Sequence, residues 1–298
     1  MSDQDKWAQW ILHRRHGGDE KILKEYLDFL YPIRDKVLDN AALTGNETLL
    51  DVGCGDGLIA FGALDRLPDG RVIFSDISQG LLNHSQELAG QMNVLDRTDF
   101  IAAFADSLTP IADESVDVVT LRSVLIYVKD KKSAFEAFYR VLKPGGRLSF
   151  FEPINSFSEI NRGDEDTFWG YDVAPVKELA AKISAVYHAI QPPGSDPMLD
   201  FDQNTLFQLA KAAGFSQVNL CTETNFETSK PVSDEQNNNG WEWLINAVFN
   251  PRIPSLKEAM GQILTPKEIE RFVTHLRPLV ETVIPPEHSA ISYLWAVK

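Results

Sequence analysis

Short apolar runs alternate with amphipathic stretches through the middle of the chain. Residues 48–52 (TLLDV), 71–75 (RVIFS), 100–105 (FIAAFA), 116–121 (VDVVTL) and 147–152 (RLSFFE) are too short for independent helices. They are mostly bounded by Gly, Pro, Asp or Asn, which predicts buried strands. Residues 58–67, 80–92 and 132–142 between them read as helices. In the last of these Ala134, Phe135, Phe138, Val141 and Leu142 recur at helical spacing. The run Lys143, Pro144, Gly145, Gly146 should end that helix, because Pro cannot continue it and Gly accepts positive φ. Strands alternating with helices predict right-handed crossovers and a mostly parallel sheet covered on both faces.

The flanks follow the same logic. Residues 1–45 are rich in helix formers, and residues 173–190 and 265–283 read as helices. Thr265, Pro266 and Glu268 form a capping box with Pro at the first helical position. Residues 202–213, closed by Gly214, predict another helix, and 215–226 and 288–298 predict two late strands. The whole is a Rossmann-like α/β fold with a mostly parallel seven-stranded sheet, an antiparallel edge strand and a helical cap. Its expected divisions are a cap segment at 1–45, a core at 46–155, and helical insertions plus the last strands of the same sheet at 156–298. There is no internal repeat. The polar stretch 234–239 reads as a loop or a frayed helix start.

Charge narrows the partners. Twenty-eight basic against 43 acidic residues give a net charge of −15, which repels phosphate backbones and anionic lipid, so neither nucleic acid nor membrane is expected. The first residues carry acid where a signal peptide would be basic, and no apolar run reaches the ~18 residues of a membrane span. Cys54 and Cys221 lie far apart without metal-ligand spacing, so no disulfide framework or metal site is expected. A cytoplasmic protein fits this pattern.

Candidate chemistry gathers at one edge of the sheet. Gly53, Gly55 and Gly57 alternate directly after the first strand, around Cys54, and let a ligand approach the backbone closely. A dinucleotide fingerprint needs glycine at 58, where this chain has Leu58. Asp51 stands two residues before the loop and either holds a cationic ligand or fixes the loop. Asp76 ends the second strand, at the distance where an acid accepts from both hydroxyls of a ribose. Asp106 follows the third strand, positioned to accept from an adenine amino group. Three carboxylates disfavour a polyphosphate and suit a ribose, an amine and a positive sulfur.

Taken together, LLDVGCGDG, the acid of FSDIS, FADSL, SVDVVTLRSVLIYV and KPGGRLSFFEP resemble the class I S-adenosylmethionine-dependent methyltransferases of the small-molecule type, over residues 46–155. The resemblance implies that the glycine loop contacts the methionine part of the cofactor, that Asp76 and its neighbour Ile77 hold the ribose end, and that Ala105, Asp106 and Ser107 meet the adenine. Arg122 and Ser123 would sit near the methionine part or the acceptor. Arsenite methyltransferases of similar layout hold their substrate through several cysteine thiolates, and two distant cysteines do not match that pattern.

The acceptor side is less marked. His13, Arg14, Arg15 and His16 form a basic cluster before two glycines, either a segment closing over substrate or a solvated face. Glu152, at the end of the fifth strand, is a candidate catalytic base alongside His13, with a strand-end role as the plainer reading. Residues 167–171 (TFWGY), Trp241 and Trp243 either line an acceptor pocket or belong to a core. The expected function is methyl transfer from S-adenosylmethionine to a small-molecule acceptor. The competing readings are a cofactor-binding protein of the same fold without methyl transfer, acting as a cyclase or regulator, and a dinucleotide oxidoreductase, which Leu58 disfavours.

Overall fold

In the computed structural model, residues 5–15, 20–160, 166–232 and 240–298 are described. Seven strands form the main sheet: β1 (Thr48–Val52), β2 (Arg71–Asp76), β3 (Thr98–Ala102), β4 (Val116–Arg122), β5 (Leu142–Pro153), β6 (Ser216–Glu227) and β7 (Glu287–Val297). Their spatial order is β3-β2-β1-β4-β5-β7-β6, with β7 antiparallel to both of its neighbours and the first five strands parallel. The antiparallel strand thus lies one place in from the edge, and β6 is outermost. The reversal of strand order falls between β1 and β4, where open α/β sheets bind ligands.

Helices α1 (Glu20–Asn40) and α2 (Leu58–Arg66) join one face of the sheet, where Leu30, Ile33 and Val37 of α1 and Ile59, Ala60 and Ala63 of α2 share a core with Leu49, Val72 and Phe74. Helix α3 (Gln79–Gln91) follows β2. On the other face, α4 (Lys131–Val141) buries Phe135 and Phe138 against Phe150 of β5. Each fully buried Phe contributes roughly 1.5–3 kcal/mol of transfer free energy.

Two predicted boundaries shift. β3 ends at Ala102, so Ala103, Ala105 and Asp106 fall in the turn that follows, closed by hydrogen bonds from Ser107 N and Leu108 N to Phe104 O. β5 begins at Leu142, because Leu142 pairs with Val116 and the Pro-Gly-Gly run is absorbed as an irregularity in the ladder.

After β5 come α5 (Lys177–Ile190), α6 (Gln203–Ala213), α7 (Gly240–Asn246), α8 (Leu256–Ile263) and α9 (Pro266–Thr282). The capping box predicted at Thr265 is formed with Glu268. α5, α7, α8 and α9 bury a separate apolar core of their own, including Ile183, Trp241, Leu244, Leu256, Met260, Phe272 and Leu276. Trp241 therefore belongs to that core. The cap is tied back to the main sheet by Lys131, whose buried ammonium donates to Val128 O, Pro197 O and Asp200 Oδ1. The predicted loop at 234–239, like His16, lies outside the described residues.

Candidate active site

The carboxyl ends of β1, β2 and β4 and the segment ahead of the sheet enclose a cavity of about 620 Å³. That is within the ~300–1,000 Å³ typical of small-molecule sites. Of the residues singled out from sequence, Asp51, Gly53, Cys54, Gly55, Asp76, Ile77, Ala105, Asp106, Arg122 and Ser123 all line it. Gly57, Ser107, Glu152 and His13 do not.

The glycine loop has the shape the spacing demands. Gly53 has φ +62°, and a Cβ there would meet Val124 Cγ2 at 2.5 Å. Any side chain would push the loop away from the segment after β4. Gly57 has φ +87° and serves as the N-cap of α2, which explains why it sits outside the cavity wall. On the far side of the loop, Ser123 is held at φ +55°, a strained position for a residue with a side chain, and its N–H bonds Phe151 O at 3.0 Å.

Three acids define the electrostatics. Asp76 accepts from Gly55 N at 3.0 Å and from Ser78 N at 2.9 Å, so the carboxylate that faces the cavity also ties the glycine loop to the start of α3. Burial raises its pKa against the effect of those amides. Asp51 is 1% exposed; its Oδ1 accepts from Thr120 Oγ1 at 2.9 Å, and its Oδ2 has no protein partner. Burial pushes the Asp51 carboxyl up to about 7, with Thr120 and the nearby Arg122 guanidinium pulling the other way. Asp106 lies half-buried in the turn after β3.

Glu152 takes a different place from the one expected of a base at the reaction edge. It is fully buried, and its Oε1 accepts from Val124 N and Leu125 N, both at 2.8 Å, with Oε2 3.4 Å from Ile126 N. Its carboxylate caps the single helical turn Leu125–Tyr127 from below and has no face on the cavity. Burial pushes it up to about 7. His13 is exposed on the outer face of the N-terminal segment, away from the cavity wall. Neither side chain lines the cavity.

Sequence reasoning missed how far the N-terminal segment builds the site. Lys6–Gln9 forms one helical turn that continues into a wider-wound turn, Trp10–Arg14, and Lys6, Trp7, Trp10, Ile11 and Arg15 line the cavity directly above the glycine loop. Three anchors hold this strap. Asp5 accepts from Ser78 Oγ and Gly80 N at the start of α3, Trp10 Nε1 donates to Val248 O, and Arg14 makes a two-pronged pair with Glu258 of α8. Trp7, Trp10 and Tyr127 stack edge to face across the mouth. The signal in the sequence was the pair of tryptophans three apart before the basic cluster, a helical stripe with no core of its own to join.

The donor set fits S-adenosylmethionine. An unpartnered, buried carboxylate oxygen at Asp51 suits an ammonium, Asp76 suits a diol, and the apolar Ile77 and Phe104 flank the turn that carries Asp106. No cluster of three or more potential metal ligands occurs among the described residues.

Comparison with known proteins agrees. Residues 50–150 match the family described as the methyltransferase domain. The ubiquinone/menaquinone biosynthesis C-methyltransferase UbiE of Klebsiella pneumoniae is 31% identical over 183 residues, covering 61% of this chain and 71% of that protein. The Cronobacter sakazakii UbiE is 29% identical over 192 residues, covering 63% and 73%. Among solved structures, the YcgJ protein of the Bacillus species superposes with a TM-score of 0.52 at 16% identity, covering 90% of this chain and 98% of that one. Phosphoethanolamine N-methyltransferase 2 of Haemonchus contortus, solved with S-adenosyl-L-methionine, gives 0.50 at 16%, covering 98% and 56%. Fold and site together define an enzyme that takes its methyl group from S-adenosylmethionine. The chain belongs to the class I S-adenosylmethionine-dependent methyltransferases, and its acceptor is a small molecule. No helix among the described residues is long and apolar enough to cross a membrane.

Proposed function

We propose that the 620 Å³ cavity is the cofactor site and that the strap and the post-β4 turn close it for transfer. Asp76 would hold the ribose, Asp51 and Arg122 the charged methionine end, and Ala105 and Asp106 the adenine. When bound, S-adenosylmethionine supplies a methyl group activated on a positive sulfur. The protein's share is then alignment and exclusion of water, since in-line displacement gains chiefly from fixing donor and acceptor in a reactive geometry. Trp7, Trp10 and Tyr127 are suited to that exclusion, because they bring a large apolar surface over the mouth.

The observation that carries this reading is Asp51 Oδ2, a buried acceptor with no protein partner in the wall of a cavity whose glycine loop admits close approach. Calorimetry with S-adenosylhomocysteine and with NAD tests it. Submillimolar binding of the first and none of the second is expected, and tighter binding of NAD would overturn it. Release of S-adenosylhomocysteine in the presence of acceptor separates a transferase from a protein that only binds the cofactor.

A further inference from the structure

The strap lies over the glycine loop, and Asp5 fastens its first turn with both carboxylate oxygens in use. Oδ1 accepts from Trp7 N at 3.2 Å and from Ala8 N at 3.1 Å, capping the helical turn that carries Trp7. Oδ2 accepts from Ser78 Oγ and, at 2.9 Å, from Gly80 N, both at the start of α3. Partial burial works to raise the Asp5 pKa, but the donors at Ser78, Ala8, Gly80 and Trp7 outweigh it and hold the carboxyl below the usual carboxylate range.

Ser78 joins this contact to the cofactor cavity. Its N–H donates to Asp76 Oδ1 at 2.9 Å, its hydroxyl donates to Asp5 Oδ2, and the same oxygen caps α3 by accepting from Leu81 N at 3.1 Å. Asp76 Oδ2 in turn accepts from Gly55 N at 3.0 Å. A chain of polar contacts thus runs from the glycine loop through Asp76 and Ser78 to Asp5 and the strap. The surface beneath is cut to receive it. A Cβ at Gly80 would meet Ala8 Cβ at 2.8 Å and Asp5 Oδ2 at 2.9 Å, and one at Gly55 would meet Ile11 Cδ1 at 3.4 Å. Gly80 sits in the first turn of α3 without a positive φ, so what its missing side chain permits is the close approach of the strap.

We propose that Asp5 is a positioning residue of the methyl-transfer cycle: it latches the strap to α3 through Ser78 and Gly80 and so sets the rate at which cofactor and product pass the cavity mouth. This rests on the cofactor reading above, which seats S-adenosylmethionine beneath the strap. The other two anchors, Trp10 to Val248 and Arg14 to Glu258, tie the far end of the strap to the cap side, so releasing Asp5 frees the end over α3 while that tether holds. A group that holds shut a gate crossed in both directions slows entry and exit together and changes their ratio little.

Stopped-flow tryptophan fluorescence of the full chain with S-adenosylhomocysteine reads both rates, since Trp7 and Trp10 stand in the cavity wall. Two variants attack the latch from opposite sides, and neither residue lines the cavity. Asp5→Asn keeps one oxygen for the strap's first turn but turns an NH2 group toward Ser78 and Gly80. Gly80→Ala removes no hydrogen-bonding group, favours the helix, and displaces Asp5 with its methyl. Each should speed dissociation at least about fivefold and speed association as well, with Kd within about threefold of the parent. The double variant should be no faster than the faster single one, because both break the same contact. Dissociation within about twofold of the parent in either variant would overturn the latch assignment. So would association that slows or stays level while binding weakens, the mark of a residue that only shapes the site, or rate gains that multiply in the double variant. Failure of the parent to bind S-adenosylhomocysteine would overturn the cofactor reading instead.

Discussion

Glu152 and Val124 are joined by a 2.8 Å hydrogen bond in which the backbone N–H of Val124 donates to the carboxylate, and Leu125 N donates to the same oxygen. The turn that carries Tyr127 toward the strap thus hangs from one buried side chain. Replacing it by Ala leaves these amides unpaired and should cost about 2–4 kcal/mol of stability. Glu152→Gln keeps one accepting oxygen and should cost less than about 1.5 kcal/mol. Urea denaturation of the three proteins checks both, and equal losses in Ala and Gln would show that charge rather than acceptance matters.

The same carboxyl predicts a pH dependence. Its folded pKa of about 7 lies above the unfolded value of 4.5. Its contribution to stability is therefore complete below about pH 4.5 and is lost as pH rises toward 7, levelling off above that. The loss amounts to at most about 3 kcal/mol. Asp51, raised for the same reason, adds in the same direction. Between pH 5 and 8 the parent should lose more stability than Glu152→Gln does; parallel curves would remove Glu152 as the source.

Cofactor binding should run the other way with pH. An ammonium placed beside Asp51 favours its ionised form, so binding below about pH 7 must first expel a proton. S-adenosylhomocysteine affinity is expected to fall by up to about tenfold per unit on the acid side. Calorimetry at pH 8 and 6 reads this directly. Asp51→Asn should bind more weakly at pH 8 and lose the slope, and a slope that survives would place the titrating group elsewhere.

Asp76→Ala should weaken S-adenosylhomocysteine by one to two decades, as loss of a charge-assisted contact worth ~1.5–3 kcal/mol implies. Because Asp76 also accepts from Gly55 and Ser78, the thermal midpoint should drop by a few degrees without unfolding at 25 °C. Parental affinity in a folded variant would refute the ribose role.

Deleting residues 1–15 should lower S-adenosylhomocysteine affinity at least about tenfold, since five residues of the strap line the cofactor cavity. Isothermal titration of the truncated protein against the parent decides between this and a strap that serves the acceptor alone, for which affinity would hold within threefold.

Most of the sheet was legible because buried parallel strands are short apolar runs, and Thr48–Val52 needs no tertiary information to be recognised. The glycine loop and Asp76 were legible for a similar reason: their chemistry is local to one strand end. Glu152 was not, because its neighbours in the chain are apolar while its partners, the amides at 124 to 126, arrive through β4 pairing beside β5. Gly57 and Ser107 carry the right spacing, yet Gly57, at φ +87°, turns to capping α2 and Ser107 lies exposed in the turn after β3. Trp7, Trp10 and Trp243 carry no period that separates a cavity wall from a core. Only packing against elements far along the chain, such as Val248 for Trp10, settles which they become.

Strand β7 lies between β5 and β6, pairing with β6 along nearly its whole length and with β5 from Ile291 to Val297. During synthesis both of its neighbours are made before it. The edge of β5, from Arg147 to Pro153, therefore stays open until the last of the three strands emerges. Until then β6 has no place in the sheet, and the slot must be entered by a strand flanked on both sides. Closing the sheet is therefore a long-range step, slower to form than the local βα units, and the open edge of β5 is where an incomplete sheet can pair wrongly.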